Sequence, residues 1–183
     1  AELALQIANE ALEIKVEERT AALLQINQAL QAELVERQRV EEELNKYASE
    51  FQDLYNNAPC GYHSLDKDGA FVRINDTELK MLGYTREEIV GKKKFSDLLT
   101  PESLPTFQEN FPRFKQRGWV QDLEFQMIRK NGTIVPVSLS AIAIKDSAGN
   151  FIKSRSSTLE ITERKQAEAA LHRSNSILRS VLE

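Results

Sequence analysis

Three side chains in this sequence carry thiol or imidazole chemistry, the groups most often used as nucleophiles, proton carriers or metal ligands near neutral pH: Cys60, His63 and His172. The two histidines are far apart, and no Gly-rich phosphate loop accompanies them. The arrangements expected for acyl transfer, phosphoryl transfer or metal-assisted hydrolysis are therefore missing, and the chain reads as a non-enzyme. Carboxylates are plentiful, but mostly as heptad surface charge. The lone Cys60 cannot form an internal disulfide, which fits a reducing compartment. It is open to two readings, a reactive thiol or a small packed one. A different chemistry, that of a ligand pocket, is suggested by Phe107, Phe111, Phe125 and Met127, with Ser154 and Ser156 as the polar groups facing them if the parity of the last strand is right. Spacing alone describes a plain core.

Those residues need a scaffold, and composition bounds it. At 183 residues and 41% hydrophobic, the chain can bury one good core, with an extension. The 28% charged residues and only five prolines argue for helix. The net charge of −4 is uneven: residues 1–54 hold twelve acidic and five basic side chains, so an acidic arm leads the chain and nucleic acid is a poor partner. No apolar run approaches the ~18 residues that span a bilayer, and there is no signal-peptide pattern. The expected location is cytoplasmic, without direct membrane insertion. Beginning at Ala1, the chain reads as a piece of something longer, with Leu182-Glu183 as an expression scar.

Residues 1–56 contain neither Gly nor Pro, and their apolar residues recur at alternating steps of three and four. One register runs through Leu5, Asn9, Leu12, Val16, Arg19, Leu23, Ile26, Leu30, Glu33, Arg37, Val40, Leu44, Tyr47, Phe51 and Leu54; eleven of these fifteen positions are apolar, the pattern of a coiled coil. A rod of roughly 75 Å cannot bury such a seam on one small domain. The expected partner is a second copy, through a dimer seam of Leu23, Ile26, Leu30, Val40, Leu44, Tyr47 and Phe51. The middle is weak, with Glu33 and Arg37 in the seam and Leu34 competing for it. Two readings stand: a spacer with imperfect heptads, or a coil kept marginal so that its register can shift.

Turn signals begin at Asn56-Asn57-Ala58-Pro59. Gly61–Leu65 and Phe71–Ile74 read as short strands around the turn Asp66-Lys67-Asp68-Gly69. Asn75-Asp76 caps a helix to about Leu82. Thr85-Arg86-Glu87-Glu88 is a capping box for one further turn. Thr100-Pro101 reads as an N-cap with Pro at the first helical position, and Pro112 predicts a kink or two short helices. Strands follow at 120–129, 133–145 and 151–161. The last runs without Gly or Pro into a helix at Glu160-Ile161-Thr162, where Thr162 is the expected N-cap and Glu163 suits the first turn. Two strands, a helical stretch and three strands predict an α+β fold: one five-stranded antiparallel sheet with short helices on one face, after a long helix and before an exit helix. Apolar residues on the sheet's second face predict cover by the flanking helices. The expected domains are a signalling helix at 1–56, a globular domain at 57–162 and a linker helix at 163–183.

This order and its phrases resemble the PAS domain family. The matching pieces are Asn57-Ala58-Pro59-Cys60-Gly61, Asp66-Lys67-Asp68-Gly69, Ile74-Asn75-Asp76, Leu82 through Gly91, Arg129-Lys130-Asn131-Gly132-Thr133 and Glu160-Ile161-Thr162-Glu163-Arg164. Val16–Leu23 and Leu34–Leu44 look like the helical connectors that precede sensory domains in bacterial signalling proteins. Ser176–Glu183 resembles the approach to another such domain. The resemblance implies a pocket between sheet and helices, a possible small-molecule ligand, and control of an output domain in cis, commonly a histidine kinase of a two-component system and sometimes a diguanylate cyclase. At the exit the family usually has Asp where this chain has Glu160, so the partner of that carboxylate is open. Light-sensing flavin relatives carry a reactive cysteine in a helical Asn-Cys-Arg motif, which residues 91–100 lack. Haem-binding relatives want a histidine on the helical layer, and none lies between Asp76 and Gly118. Neither flavin nor haem is expected, and no cofactor is named. Leu171-His172-Arg173-Ser174 lacks the acid and proline of the kinase phosphoacceptor motif Ser-His-Glu-Leu-Arg-x-Pro. The expectation is a sensory or relay module, with a purely structural dimerisation spacer as the rival.

Overall fold

The computed structural model of the chain describes residues 2–182, with side chains described throughout except at Ala4 and 175–182. The chain divides into two units, residues 1–52 and the remainder from Asp53. Helix α1 (Glu2–Asn56) makes up the first and enters the second. Its sequence gives no reason to stop earlier, having no helix breaker in 55 residues. The seam residues Leu23, Ile26, Leu30, Val40, Leu44, Tyr47 and Phe51 each expose half or more of their surface.

In the second unit β1 (Gly61–Leu65) and β2 (Phe71–Ile74) precede α2 (Asp76–Leu82), α3 (Arg86–Ile89), a 3-10 turn (Phe95–Leu98) and α4 (Leu104–Arg117). Then come β3 (Trp119–Ile128), β4 (Ile134–Lys145), β5 (Phe151–Glu160) and the exit helix α5 (Thr162–Leu182). The antiparallel sheet has the order β2-β1-β5-β4-β3, so the first and last strands are neighbours at its centre. This is the five-stranded α+β arrangement that the strand and turn pattern predicts.

Alternation along β4 turns Val135, Val137, Leu139 and Ala141 inward, where they meet Phe125 and Met127 of β3 and the helical layer of Leu79, Leu82, Ile89, Phe95, Leu98 and Phe114. Burying each such large side chain stabilises by roughly 1.5–3 kcal/mol. α2 starts where Asn75 accepts the N–H of Glu78, and ends at Gly83, whose φ of 78° suits a residue without a side chain. The carboxylate of Glu88 accepts the N–H of Thr85 at 3.0 Å, closing the expected box before α3.

Three expectations need correction. α4 begins at Leu104, not Pro101, because the preceding segment is stitched to β3: Thr100 donates to the Gln126 carbonyl at 3.0 Å, and the Ser103 hydroxyl takes the Gln126 N–H at 2.8 Å. α4 also runs through Pro112 as one helix and not as two short ones; that residue and Gln108, whose carbonyl loses its partner, both face solvent. Finally, the outer sheet face is not covered as expected. Trp119, Ile134, Ile142 and Leu159 stay exposed, while Tyr55 at the end of α1 stacks on Tyr62 with ring centroids 6.1 Å apart.

Candidate functional site

Between α4 and the sheet lies a small cavity of about 30 Å³. Its walls are aromatic: Phe95, Phe107, Phe111 and Phe114 from the helical layer and Phe125 from β3. Asn110, Ser154 and Ser156, the serines turned inward by alternation along β5, also border it, but the exposed lining is apolar. Of the residues named from sequence as pocket-lining, Phe107, Phe111, Phe125, Ser154 and Ser156 therefore share one cavity wall. Met127 does not; it lies deeper in the core, bridged to Leu99, two residues further along β3 than Phe125.

The serines also hold the sheet together where it opens. β1 pairs with β5 from Gly61 to His63, and beyond that the N–H of Leu65 goes to the Ser154 hydroxyl at 2.9 Å instead of to backbone. The two serine hydroxyls are 3.0 Å apart. The result is an apolar chamber whose bordering hydroxyls are turned to each other and to the Leu65 N–H, the pattern of a site for a small apolar guest. The space admits something near the size of water. A larger guest requires Phe107 and Phe111 to move. Both are half-buried, stack at 5.0 Å and abut the turn at Gly69, where Phe107 Cζ comes within 3.5 Å of the position a Cβ would take.

A second polar constellation sits deeper, and the sequence reading missed it. His63 of β1 directs Nδ1 at both carboxylate oxygens of Glu78 on α2, at 2.9 and 3.0 Å, with Thr158 Oγ1 of β5 at 3.4 Å. Neither side chain of the pair is exposed, and the imidazole packs between Phe71 and Phe95. His63 Nε2 is buried without a hydrogen-bond partner. The pair exists because residue 61 is glycine: a Cβ there would fall 2.9 Å from Glu78 Cβ and 3.0 Å from its Cγ and Cδ. The available signal was the inward parity of Gly61, His63 and Leu65 together with a Glu beside Leu79 and Leu82 on a short helix. The geometry ties β1, α2 and β5 together away from solvent.

At the exit, Glu160 finds its partner in Arg129, Nη2 to Oε2 at 3.0 Å. Thr162 is not the expected cap: it donates its hydroxyl to Glu160 Oε1 at 2.7 Å, and α5 begins on Thr162 itself. The cap position falls on Ile161, whose carbonyl accepts the first helical bond from Lys165, while its own N–H goes to the Pro136 carbonyl of β4 at 2.9 Å. Ile161 is buried. Arg164 and Lys165 then pair with Glu124 of β3, Lys165 at 2.5 Å. The hydrogen bond from Lys165, foremost, and the positive charge of both residues hold the Glu124 carboxyl below the usual range. Glu160, Ile161 and Thr162 thus form one junction fastened to β3 and β4.

Cys60 is a half-buried free thiol just before β1. Its hydrogen bond with Tyr62 is the main cause that raises the phenol of that tyrosine. His172 is exposed on α5, whereas the side chains of Asn175, Leu178 and Leu182 lie outside the described residues. Among the described residues no group of three or more His, Cys, Asp and Glu could hold a metal ion, and no helix is long and apolar enough to cross a membrane.

Comparison with known proteins bears on this architecture. A family model described as "PAS domain" matches residues 59–163. The chain is 30% identical over 95 residues to the phosphoserine phosphatase RsbP of Bacillus subtilis, covering 52% of this chain and 24% of that protein. It is 26% identical over 169 residues to the methyl sulfide methyltransferase-associated sensor of Methanosarcina acetivorans, covering 92% of this chain and 16% of that protein. The chain thus spans about a quarter or less of these curated relatives. Among solved structures, a PAS domain from a two-component sensor histidine kinase superposes with a TM-score of 0.53 at 20% identity, over 66% of this chain and 98% of that one.

Proposed function

The chain belongs to the PAS domain family, and we propose that it acts as a sensory or relay module, passing a conformational signal between its two flanking helices to an output domain in cis. It catalyses nothing itself. The observation that carries this reading is the pairing of β1 with β5, Gly61 opposite Thr158. The strand entered from α1 and the strand that leads into α5 are direct neighbours at the centre of the sheet. A displacement at either end is handed on through one ladder of backbone hydrogen bonds.

The apolar seam of α1 supports homodimerisation through a parallel coil, and exposure of half or more at each seam position gives a second copy apolar surface to cover. The chamber above Ser154 and Ser156 is the proposed seat of a small ligand. A ligand that takes the module from 1:99 to 99:1 must favour one state by about 5.5 kcal/mol. For the output we propose a histidine kinase in the cytoplasm, supported by the likeness to the PAS domain of a sensor kinase and by the free thiol of Cys60.

The relay is tested by breaking α1 and listening at the exit. Ala48→Pro interrupts the helix eight residues before its end. Hydrogen exchange at residues 160–165 changes in this variant if the module relays. Exchange there identical to the unaltered chain, with α1 visibly disrupted, overturns the reading.

A further inference from the structure

Every hydrogen-bonding group on the side chain of Asn75 is committed, at a residue with no exposed surface. Its Nδ2 donates to the Tyr55 carbonyl at 2.8 Å and to the Cys60 carbonyl at 3.1 Å. Its Oδ1 accepts the N–H of Tyr62 at 2.8 Å and that of Glu78 at 3.0 Å. The four partners belong to the last turn of α1, the connection after it, β1 and the first turn of α2.

The last carbonyls of a helix and the first N–H groups of the next are the ones without partners inside their own helices. Asn75 supplies both needs at once, capping the C-terminus of α1 and the N-terminus of α2 with one amide. Thr77 reinforces the cap on α1, since its hydroxyl lies 3.1 Å from the Asn56 carbonyl and 2.8 Å from that of Ala58. The negative end of α1 therefore meets the positive end of α2. Glu78, whose N–H Asn75 receives, is the residue whose carboxylate reaches His63, so the cap leads into the buried pair.

We propose that Asn75 is the positioning residue on the entry side, the tether through which the end of α1 is held to β1 and α2; its signalling role rests on the relay reading above. The chemistry explains the residue type. Aspartate retains the acceptor for both N–H groups but loses both donors and sets a negative charge against two carbonyls. Serine caps α2 but has a single O–H. Only an amide serves both sides.

Asn75→Asp and Asn75→Ser in the full chain separate the two halves of the role, since all three residues are favoured N-caps. Exchange at residues 54–62 is expected to rise about tenfold, the effect of roughly 1.4 kcal/mol of lost hydrogen bonding, while residues 76–82 keep their protection. Unchanged exchange at 54–62 overturns the tether, and so does an equal loss at 76–82, which would make Asn75 only the cap of α2. Thr77→Val, which removes one hydroxyl and keeps the shape, is the milder variant should the others unfold. It accelerates exchange at 54–58, and no change there overturns the shared cap. For signalling, Ala48→Pro is combined with Asn75→Ser: the response at 160–165 vanishes if Asn75 carries it, and its persistence overturns that assignment. A response missing already in the Ala48→Pro chain with intact Asn75 overturns the relay, and the signalling role with it, but not the tether.

Discussion

His63 and Glu78 meet with both side chains fully out of solvent, Nδ1 within 3.0 Å of each carboxylate oxygen, although one comes from a strand and the other from a helix fifteen residues later. The contact joins β1, α2 and, through Thr158, β5 at one point. Removing one partner leaves the other buried with its polar atoms unmet. Glu78→Ala is expected to cost about 3 kcal/mol. Urea unfolding checks this, and a midpoint equal to that of the unaltered chain refutes it.

Gly61→Ala tests the same pair from the other side. The added methyl meets Glu78 Cβ at 2.9 Å and must displace it. We expect a loss of roughly 1–3 kcal/mol. Combined with Glu78→Ala, the double variant is expected to lose less than the sum of the two, because alanine removes the Cγ and Cδ that the added methyl crowds at 3.0 Å while the Cβ at 2.9 Å stays. Strict additivity in the double-mutant cycle would count against the contact.

The serine pair bordering the chamber is asymmetric. Ser154→Ala strips the buried N–H of Leu65 of its acceptor and is expected to cost about 1–3 kcal/mol. Ser156→Ala loses only a hydroxyl-to-hydroxyl contact and should cost less. Equal effects on the denaturation midpoint would show that the Leu65 bond contributes nothing of its own.

The fastening of α5 to β3 depends on pH in a definite direction. Lys165 and Arg164 depress the Glu124 carboxyl in the folded state. Its contribution is therefore complete above the unfolded value of ~4.3 and is lost as pH falls through the lower folded value. The pair is partly exposed, so the contribution is at most about 1 kcal/mol. Protection factors for residues 163–168, corrected for intrinsic rates, should fall at acid pH in the unaltered chain and stay flat in Glu124→Gln. The same fall in both assigns the acid sensitivity elsewhere.

For α1, light scattering at micromolar concentration should give a dimer, and a chain beginning near Tyr55 should dissociate. A stable monomer of the full chain sinks the coiled-coil proposal.

The elements of this fold were legible because their punctuation is local. A turn at Asp66–Gly69 and a capping box at Thr85 carry their own signals within four residues. What failed depended on partners distant in sequence. Thr100-Pro101 looks like a helix start until Gln126 of β3 claims its backbone. Thr162 looks like a cap until Glu160 claims its hydroxyl. Glu78 was the hardest, since a glutamate in a first helical turn reads as surface charge and only the missing Cβ at Gly61 lets it pass beneath β1. The pocket residues were half legible: period-two alternation gives Ser154 and Ser156, but the depth of Met127 relative to Phe125 follows from how β3 pairs beyond its irregular stretch at Val120–Leu123.

The central pairing of β1 with β5 has a consequence for how such a unit travels between proteins. Gly61 and Thr158 are register partners, so the chain enters and leaves the sheet one strand spacing apart, ~4.8 Å. Some ninety-six intervening residues amount to a side loop with its ends already closed. Splicing that loop into a continuous helical stalk, or cutting it out, demands little extra closure entropy from the host. The geometry suits insertion into, or removal from, a longer chain without redesigning the segments on either side.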